Sequence, residues 1–154
     1  MRSVIVRGLI AGVAGVAAMT VAEKIEQVFT HRPNSYMPAH TLARLAHLPE
    51  PDTDRRWLNW TMHWGQGSLL GIVRAMLGER GIDGPFGSFV FWNLRLAADQ
   101  TLENATGAGC PPWTWPRSEQ VIDIAHKGIY AFATGAVADA LQPRKPGGNT
   151  SAAD

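Results

Sequence analysis

One apolar segment near the start of the chain constrains the fold more than any other feature. Residues 4–22 carry a single charge, at Arg7, and otherwise consist almost entirely of small and aliphatic side chains. As an α-helix this segment would extend about 28 Å, which is close to the thickness of the hydrocarbon layer of a bilayer. The segment therefore predicts a membrane-spanning helix.

Two other interpretations of this segment compete with a simple retained span. A basic start, an apolar middle and small residues such as Ala18 and Ala22 are also typical of a cleaved secretory signal. Helical spacing continues through residues 22–29, however, past any such cleavage position. The segment is also compatible with a buried helix that delivers Glu23 and Glu26 to a site. We expect a retained helix.

Overall composition favours one domain in contact with a membrane. A chain of 154 residues is long enough for one core. Charged residues make up 18% of it, below the roughly 25% of soluble domains. The formal net charge of +1 provides no basic field for a polyanion. We therefore expect membrane lipid as a partner and no nucleic acid.

The chain shows no sign of a disulfide framework or of a bound cofactor. Cys110 is its one cysteine, which excludes an intrachain disulfide and any zinc site built from several cysteines. Neither a phosphate-binding glycine loop nor a dinucleotide fingerprint occurs. Cys110 lies in a proline-rich loop with no adjacent base, so nucleophilic catalysis is disfavoured. We expect no cofactor.

Three further helices follow the apolar segment. Helical patterns cover residues 57–77, 86–104 and 118–141, and Ser118 is the expected N-cap of the last helix. No run of strict alternation indicates a strand. These patterns predict an all-α fold, a four-helix membrane-embedded bundle, although only the first helix is an unambiguous span by composition.

A proline-rich connection of residues 30–56 follows the first helix and contains a short amphipathic helix. Leu42 and Leu45 are expected on one side of it, facing the bundle or a lipid headgroup boundary. The predicted helical bundle covers residues 1–142. Residues 143–154 are polar and rich in small residues, and predict a disordered C-terminal tail.

The long helices carry their polar and small residues on single faces, at spacings of three and four. On the first helix the stripe consists of Gly8, Gly12, Gly15, Met19, Glu23 and Glu26. The second helix has Trp60, His63, Gly67, Gly71 and Arg74, the third has Trp92, Arg95, Asp99 and Glu103, and the fourth has Glu119, Asp123, His126, Tyr130 and Thr134. Glycines at that spacing allow a second helix to approach closely. We therefore expect Glu23 and Glu26 to point into the bundle, toward Arg74 or Arg95.

Three interpretations of the converging stripes stay open, and the first is a charge network that fixes helix register. Its predicted binding and charge-network residues are Glu23, Glu26, Arg74, Arg95, Glu103 and Tyr130. The second is a metal site in the bundle core. A di-iron arrangement needs Glu-x-x-His on two helices, and only Asp123 and His126 resemble that pattern here. No metal is therefore predicted.

The third interpretation is an acid–base site for an apolar substrate. Its predicted catalytic residues are His63, Asp99, Asp123 and His126. In an apolar surrounding, burial and neighbouring charges would tune the pKa values of such groups toward neutrality. Lipid, terpenoid or polyketide intermediates are the substrate classes that suit such a bundle.

Residues 8–45 resemble the opening of small uncharacterised actinobacterial membrane proteins. The resemblance consists of a Gly/Ala-rich first span followed by an Arg-Pro-x-Ser-x-x-Pro connection, here Arg32, Pro33, Ser35 and Pro38. It implies a multi-span helical membrane protein. It implies no reaction and assigns no functional residue.

The expected function is that of a small integral membrane protein with a polar interior, in a binding, transport-accessory or scaffolding role. The alternative is a membrane-bound isomerase, cyclase or dehydratase acting on an apolar small molecule. Exposed glycine faces would also permit a homo-oligomer. Arg2 and Arg7 at the start and Arg144 and Lys145 at the end predict cytoplasmic termini in a multi-pass protein.

Overall fold

A computed structural model describes residues 3–49 and 56–143. The described residues form helices and no strands, which confirms the all-α prediction. The α-helices are α1 (Val4–Thr30), α2 (Met37–Leu45), α3 (Arg56–Glu79), α4 (Gly84–Thr106) and α5 (Arg117–Ala140), with a 3₁₀ helix at Pro112–Thr114. The basic residues Arg2, Arg144 and Lys145 and the predicted tail beyond residue 143 lie outside the described residues.

The start of α5 differs from the prediction by two residues. Pro116 occupies the N-cap position and α5 begins at Arg117, so Ser118 lies inside the first turn and is not the cap. Proline ends the extended loop there because its fixed φ, −54° in this structure, is already compatible with helix entry. Glu119 lies in the first turn, as expected for an acidic residue at a helix N-terminus.

Glycines bring α1 and α3 into backbone contact, as the stripe on α1 predicts. A Cβ atom added at Gly71 would lie 2.2 Å from the Gly8 carbonyl oxygen, and one added at Gly12 would lie 2.6 Å from the Gly67 carbonyl oxygen. Both distances are far below van der Waals contact, so no side chain fits between the two helices. The glycines therefore set the spacing of this helix pair.

The core lies where α1, α4 and α5 meet. Val16, Met19, Phe91, Tyr130 and Ala131 form one buried cluster. The rings of Phe91 and Tyr130 have centroids 5.7 Å apart, and the Tyr130 hydroxyl donates a 2.6 Å hydrogen bond to the Gly67 carbonyl oxygen. This bond links α5 to α3 through the middle of the structure.

At one end of the structure, here called the closed end, ion pairs fill the space between the helices. Arg74 is fully buried on α3 and lies 2.7 Å from Asp139 of α5. Asp139 also accepts a 3.0 Å hydrogen bond from the backbone nitrogen of Gly84 at the start of α4. Arg7 of α1 pairs with Glu79 at the end of α3. The beginning of α1 and the end of α5 therefore lie at the same end of the structure.

The short helix α2 packs against α3 and α4 through small residues. Ala39 and Ala43 are buried with Leu58, whereas Leu45 is 47% exposed. Of the two placements expected for the leucine side of α2, packing onto the bundle is therefore not seen at Leu45, and alanines form the buried contact with Leu58. Leu42 packs partly against this cluster.

By length and composition, α1 is the one helix in the described part of the chain that is able to cross a membrane. An 18-residue window of it has a mean hydropathy of 2.0, and 39% of that window is buried inside the structure. The rest of its surface faces outward, including Ile5, Val13 and Val21. A buried core helix or a signal sequence would pass the same test of length and composition.

Candidate functional site

A polar cleft of about 660 Å³ occupies the end of the structure opposite the closed end. It lies between the C-terminal half of α1, the N-terminal halves of α3 and α5, the C-terminal half of α4, and α2 with the connection before it. The ionisable residues from the sequence stripes that line it are Glu23, His63, Arg95, Asp99, Glu103, Glu119, Asp123 and His126. Antiparallel packing of neighbouring long helices brings these stripes together.

Asp99 is the most highly connected group in the cleft. It accepts a 2.9 Å hydrogen bond from the side-chain nitrogen of Gln66, and its second oxygen lies 2.9 Å from Arg95 Nε and 3.4 Å from Lys127 Nζ. Lys127 also donates a 2.8 Å hydrogen bond to Asp123. Because Asp99, Arg95 and Lys127 are all buried, these contacts compensate charges that would otherwise be costly.

Arg95 retains unused donor capacity at the cleft. Its guanidinium carbon lies 4.8 Å from the centre of the Tyr130 ring, so one face of the cation is covered. Arg95 is 4% exposed, and its Nη1 atom has no hydrogen-bond partner among the described residues. The Tyr130 ring packs against the guanidinium of Arg95 and does not line the cleft.

Glu103 has the most perturbed carboxyl group of the cleft. Burial raises its pKa to about 7, the nearby carboxylates of Asp99 and Asp123 also raise it, and Lys127 opposes them. Its carboxyl group has no hydrogen-bond partner in the described part of the chain. Near neutral pH this group is therefore present in both forms, and it can act either as an acid or as a base.

Two histidines line the cleft as neutral imidazoles at pH 7. Burial lowers the pKa of His63, and Glu23 opposes this effect. The Nε2 atom of His63 lies 3.3 Å from the Thr20 hydroxyl, which links α3 to α1. Burial likewise lowers the pKa of His126 against an opposing effect of Glu26 and Glu23. A neutral imidazole can accept a proton, so each histidine is suited to the role of a base.

The expected pairing of Glu26 with Arg74 or Arg95 is wrong. Glu26 forms a 3.2 Å ion pair with Arg32, which also lies 3.3 Å from Glu119 of α5. The reason is helix register: Gly8 is level with Gly71, so Glu26 lies about 27 Å farther along α1 from that level. Arg74 is therefore at the opposite end of the structure.

Glu23 forms different contacts from Glu26, although both residues belong to the same stripe of α1. It lines the cleft and accepts a 3.1 Å hydrogen bond from Gln27 on its own helix. Its charge acts on His63 and His126. Glu23 therefore contributes to the cleft as a negative group facing two imidazoles, and within residues 3–49 and 56–143 it pairs with no arginine.

Sequence reasoning missed several groups that matter to the cleft and to the closed end. Lys127 lies four residues after Asp123, so the helical spacing that selected Asp123 would also have found it. Arg32 lies in a connection without periodicity, and Gln66 carries no charge, so neither stood out. Asp139 lies near the end of α5, and only the folded arrangement brings it to Arg74.

In the residues that the structure describes, no group of three or more His, Cys, Asp or Glu side chains is arranged to hold a metal ion. Asp123 and His126 both line the cleft, but Asp123 is engaged by Lys127.

No family model, curated protein or solved structure matches this chain. The chemistry of the polar cleft therefore has to be interpreted from its own residues.

Proposed function

We propose that this chain is a small integral membrane protein, a bundle of four spans, that binds a small molecule in its polar cleft in a transport-accessory or scaffolding role. The cleft is the observation that carries the proposal. Its volume of about 660 Å³ lies in the range of small-molecule sites, and charged side chains from the long helices converge on it. The resemblance of residues 8–45 to multi-span membrane proteins is consistent with this reading.

Exposed apolar side chains support the membrane location. Around the half of the structure at the closed end, all four long helices present such residues outward, namely Ile10, Val13, Leu69, Val73, Met76, Phe86, Phe89, Ile129 and Phe132. An apolar surface on every side is unusual for a water-soluble domain. A bilayer would cover it without requiring a partner protein.

The proposed spans are the apolar parts of the long helices. They are residues 4–22, 67–79, 84–98 and 128–140. At about 1.5 Å per residue they are about 20 to 28 Å long, and a short span is accommodated by local thinning of the bilayer. His63, Glu103 and His126, whose pKa values are shifted, lie outside these segments. The polar cleft therefore opens beyond the hydrocarbon layer.

The two tryptophans of the loop before α5 have different surroundings. Trp113 is 80% exposed, whereas Trp115 lines the cleft and donates a 2.9 Å hydrogen bond to the Cys110 carbonyl oxygen. This loop precedes the proposed span of residues 128–140 by the first three turns of α5, about 16 Å. Trp113 therefore lies beyond the boundary between lipid and water in this placement, and Trp115 packs the loop against the cleft.

Alkaline extraction tests the membrane part of the proposal. Membranes from cells producing the full chain are washed in alkaline carbonate, and the chain is detected in pellet and supernatant. The proposal predicts that the chain stays in the pellet, because four buried spans are held by the hydrophobic effect rather than by charge. Release into the supernatant would contradict an integral location.

Mass spectrometry tests the binding part. The full chain is purified in mild detergent, and small molecules released from it are compared between the wild type and the variant Asn34→Trp, which narrows the cleft mouth. Asn34 is exposed and lines the cleft. Ser118→Trp is the control, at an exposed position outside the cleft. We expect a molecule that is lost only with Asn34→Trp, and equal release from all three chains would contradict binding in the cleft.

A second candidate function is favoured by the pairing of Glu103 with two neutral histidines in one cleft. A carboxyl group whose pKa is about 7 and an imidazole whose pKa is lowered form an acid and a base in the same space. This combination suits isomerisation, cyclisation or dehydration of an apolar metabolite. If conversion of the released molecule by purified protein persists in the double variant His63→Gln/Glu103→Gln, the enzymatic reading fails.

A further inference from the structure

A second hollow lies beside the polar cleft and shares a wall with it. This hollow, here called the side groove, has a volume of about 380 Å³ and runs between α1 and α5. Its lining residues are Ala22, Ile25, Glu26, Val121, Ile122, Ala125, His126 and Ile129. Ile122 and His126 also line the polar cleft. The two hollows are therefore neighbours, separated at this point by the side chains of Ile122 and His126.

The side groove is apolar and open to the outside of the helix pair. Most of its lining side chains are aliphatic, and among them Ile25 is 56% exposed and Val121 is 66% exposed. Its one carboxylate, Glu26, is already engaged by Arg32. Such a surface favours contact with hydrocarbon, because an alkyl chain bound in the groove removes the exposed aliphatic side chains from water.

The polar cleft offers the complementary half of an amphiphile site. Arg95 is more than nine-tenths buried, lines the cleft, and has an Nη1 atom without a partner among the described residues. Lys127 shares Asp99 with Arg95 and also pairs with Asp123, whereas Asp99 is the one carboxylate at ion-pair distance from Arg95 among the described residues. A buried guanidinium nitrogen in this state is best satisfied by an anionic oxygen.

We propose that the ligand of the cleft is a single-chain amphiphile with a carboxylate head, which lies against Arg95, and with an alkyl chain that passes Ile122 and His126 into the side groove. This inference rests on the proposed binding function and deepens it by naming the class of ligand. Arg95 is the group that selects the carboxylate head, and the wall that the two hollows share at Ile122 and His126 sets the path of the alkyl chain. Ala22 and Ile129 of the side groove belong to the proposed spans, so the groove reaches the edge of the lipid layer.

The test measures binding of radiolabelled hexadecanoate to the purified full chain in detergent. Competition with unlabelled hexadecanoate, butanoate and hexadecanol separates the two halves of the ligand. We expect hexadecanoate to compete at least tenfold better than either of the others, because butanoate lacks the chain and hexadecanol lacks the charge. These comparisons use only the wild-type protein and do not depend on the folding of a variant.

Two matched variants test the path of the chain. Ala125→Trp fills the side groove from an exposed helix position, and Ala97→Trp adds the same side chain at an exposed position of α4 outside both hollows. Hexadecanoate affinity should fall at least tenfold in Ala125→Trp and stay unchanged in Ala97→Trp. Arg95→Lys, which keeps the charge but removes the Nη1 donor, should also lose about tenfold.

The outcomes separate this inference from the proposed function. Equal competition by butanoate and hexadecanoate, with no effect of Ala125→Trp, would overturn the chain path. Equal competition by hexadecanol would overturn the carboxylate head. No binding of any of the three would overturn the ligand class. The proposed function fails separately, by alkaline release of the chain or by the absence of a molecule whose release depends on the cleft.

Discussion

Asp99 is the carboxylate that contacts both buried cations of the polar cleft. Its side chain is 6% exposed and receives contacts from Gln66, Arg95 and Lys127. In Asp99→Asn both cations lose this counter-ion while remaining buried, and we expect a loss of about 3 to 5 kcal/mol in the free energy of unfolding. Thermal unfolding in detergent measures the change.

Asp123→Asn is the matched control for Asp99→Asn. Asp123 contacts Lys127 as well, but its side chain is 28% exposed and water screens it. Its loss should cost about 1 kcal/mol or less. If the two variants were destabilised equally, Asp99 would not be the centre of the network.

Glu103 should make the stability of the protein dependent on pH. Its pKa in the folded state, about 7, is above the unfolded value of 4.5. The folded state therefore binds the proton more tightly, and the contribution of this group to stability falls as pH rises from about 4.5 to 7. Lowered pKa values at His63 and His126 act in the opposite direction below about pH 6.5.

Substitution isolates the Glu103 contribution from that of the histidines. Glu103→Gln should match the wild type at pH 4, below the unfolded pKa, and exceed its stability at pH 8 by about 1 to 2 kcal/mol, after a discount for partial exposure. This corresponds to roughly 2 to 8 °C in melting temperature for a chain of this size. A difference that is the same at both pH values would show that ionisation of Glu103 is not its cause.

At the scale of elements, the contact of α1 with α3 depends on glycine. Gly71→Ala places a Cβ atom 2.2 Å from the Gly8 carbonyl oxygen and 2.6 Å from the Gly12 backbone, so α1 has to move away. We expect a loss of about 2 to 4 kcal/mol in the free energy of unfolding, as for overpacking between rigid backbones. Thermal unfolding in detergent is the measurement.

Gly65→Ala, in the same helix, is the matched control for this prediction. A Cβ atom added there meets nothing within 4 Å. The substitution should raise stability by about 0.5 to 1 kcal/mol, because alanine is the better helix former. Destabilisation of Gly65→Ala to the level of Gly71→Ala would indicate a general intolerance of α3 rather than a close helix contact.

Helical periodicity predicted most of the elements and part of the cleft. Spacings of three and four placed His63, Arg95 and Asp99 on inward faces of two helices, and the structure brings them to one hollow. Periodicity describes one helix at a time and contains no information on the level at which two helices meet. For that reason the prediction directed Glu26 toward Arg74 or Arg95, although register places Glu26 and Arg74 at opposite ends and Glu26 pairs with Arg32.

Other parts of the site were beyond sequence reasoning because they depend on irregular segments. Arg32 reaches Glu26 and Glu119 from a connection between helices, and no spacing rule places such a residue. Ala39 and Ala43 form the fully buried contact of α2 with Leu58, and Leu42 packs only partly against them, which the spacing of the leucines did not indicate. The side groove is likewise formed only when α1 and α5 come together.

At the scale of the whole molecule, the two ends differ in character. The closed end holds the Arg74–Asp139 ion pair and both ends of the described helical chain. The opposite end holds the polar cleft and the exposed Cys110. Basic residues occur at both ends, including Arg80 at the closed end and Arg32 at the cleft. Charge alone therefore does not determine which end faces the cytoplasm, and the proposed cytoplasmic placement of the termini needs a direct test.

Cysteine labelling in intact cells is the most direct test of the central claim that four spans separate these two ends. A membrane-impermeant thiol reagent is applied to the wild type, labelled at Cys110, and to Cys110→Ser/Arg80→Cys, whose new thiol replaces an exposed side chain. The account predicts labelling of Cys110 in intact cells, and of the double variant only after permeabilisation. Labelling of both thiols from the same side of the membrane would contradict it.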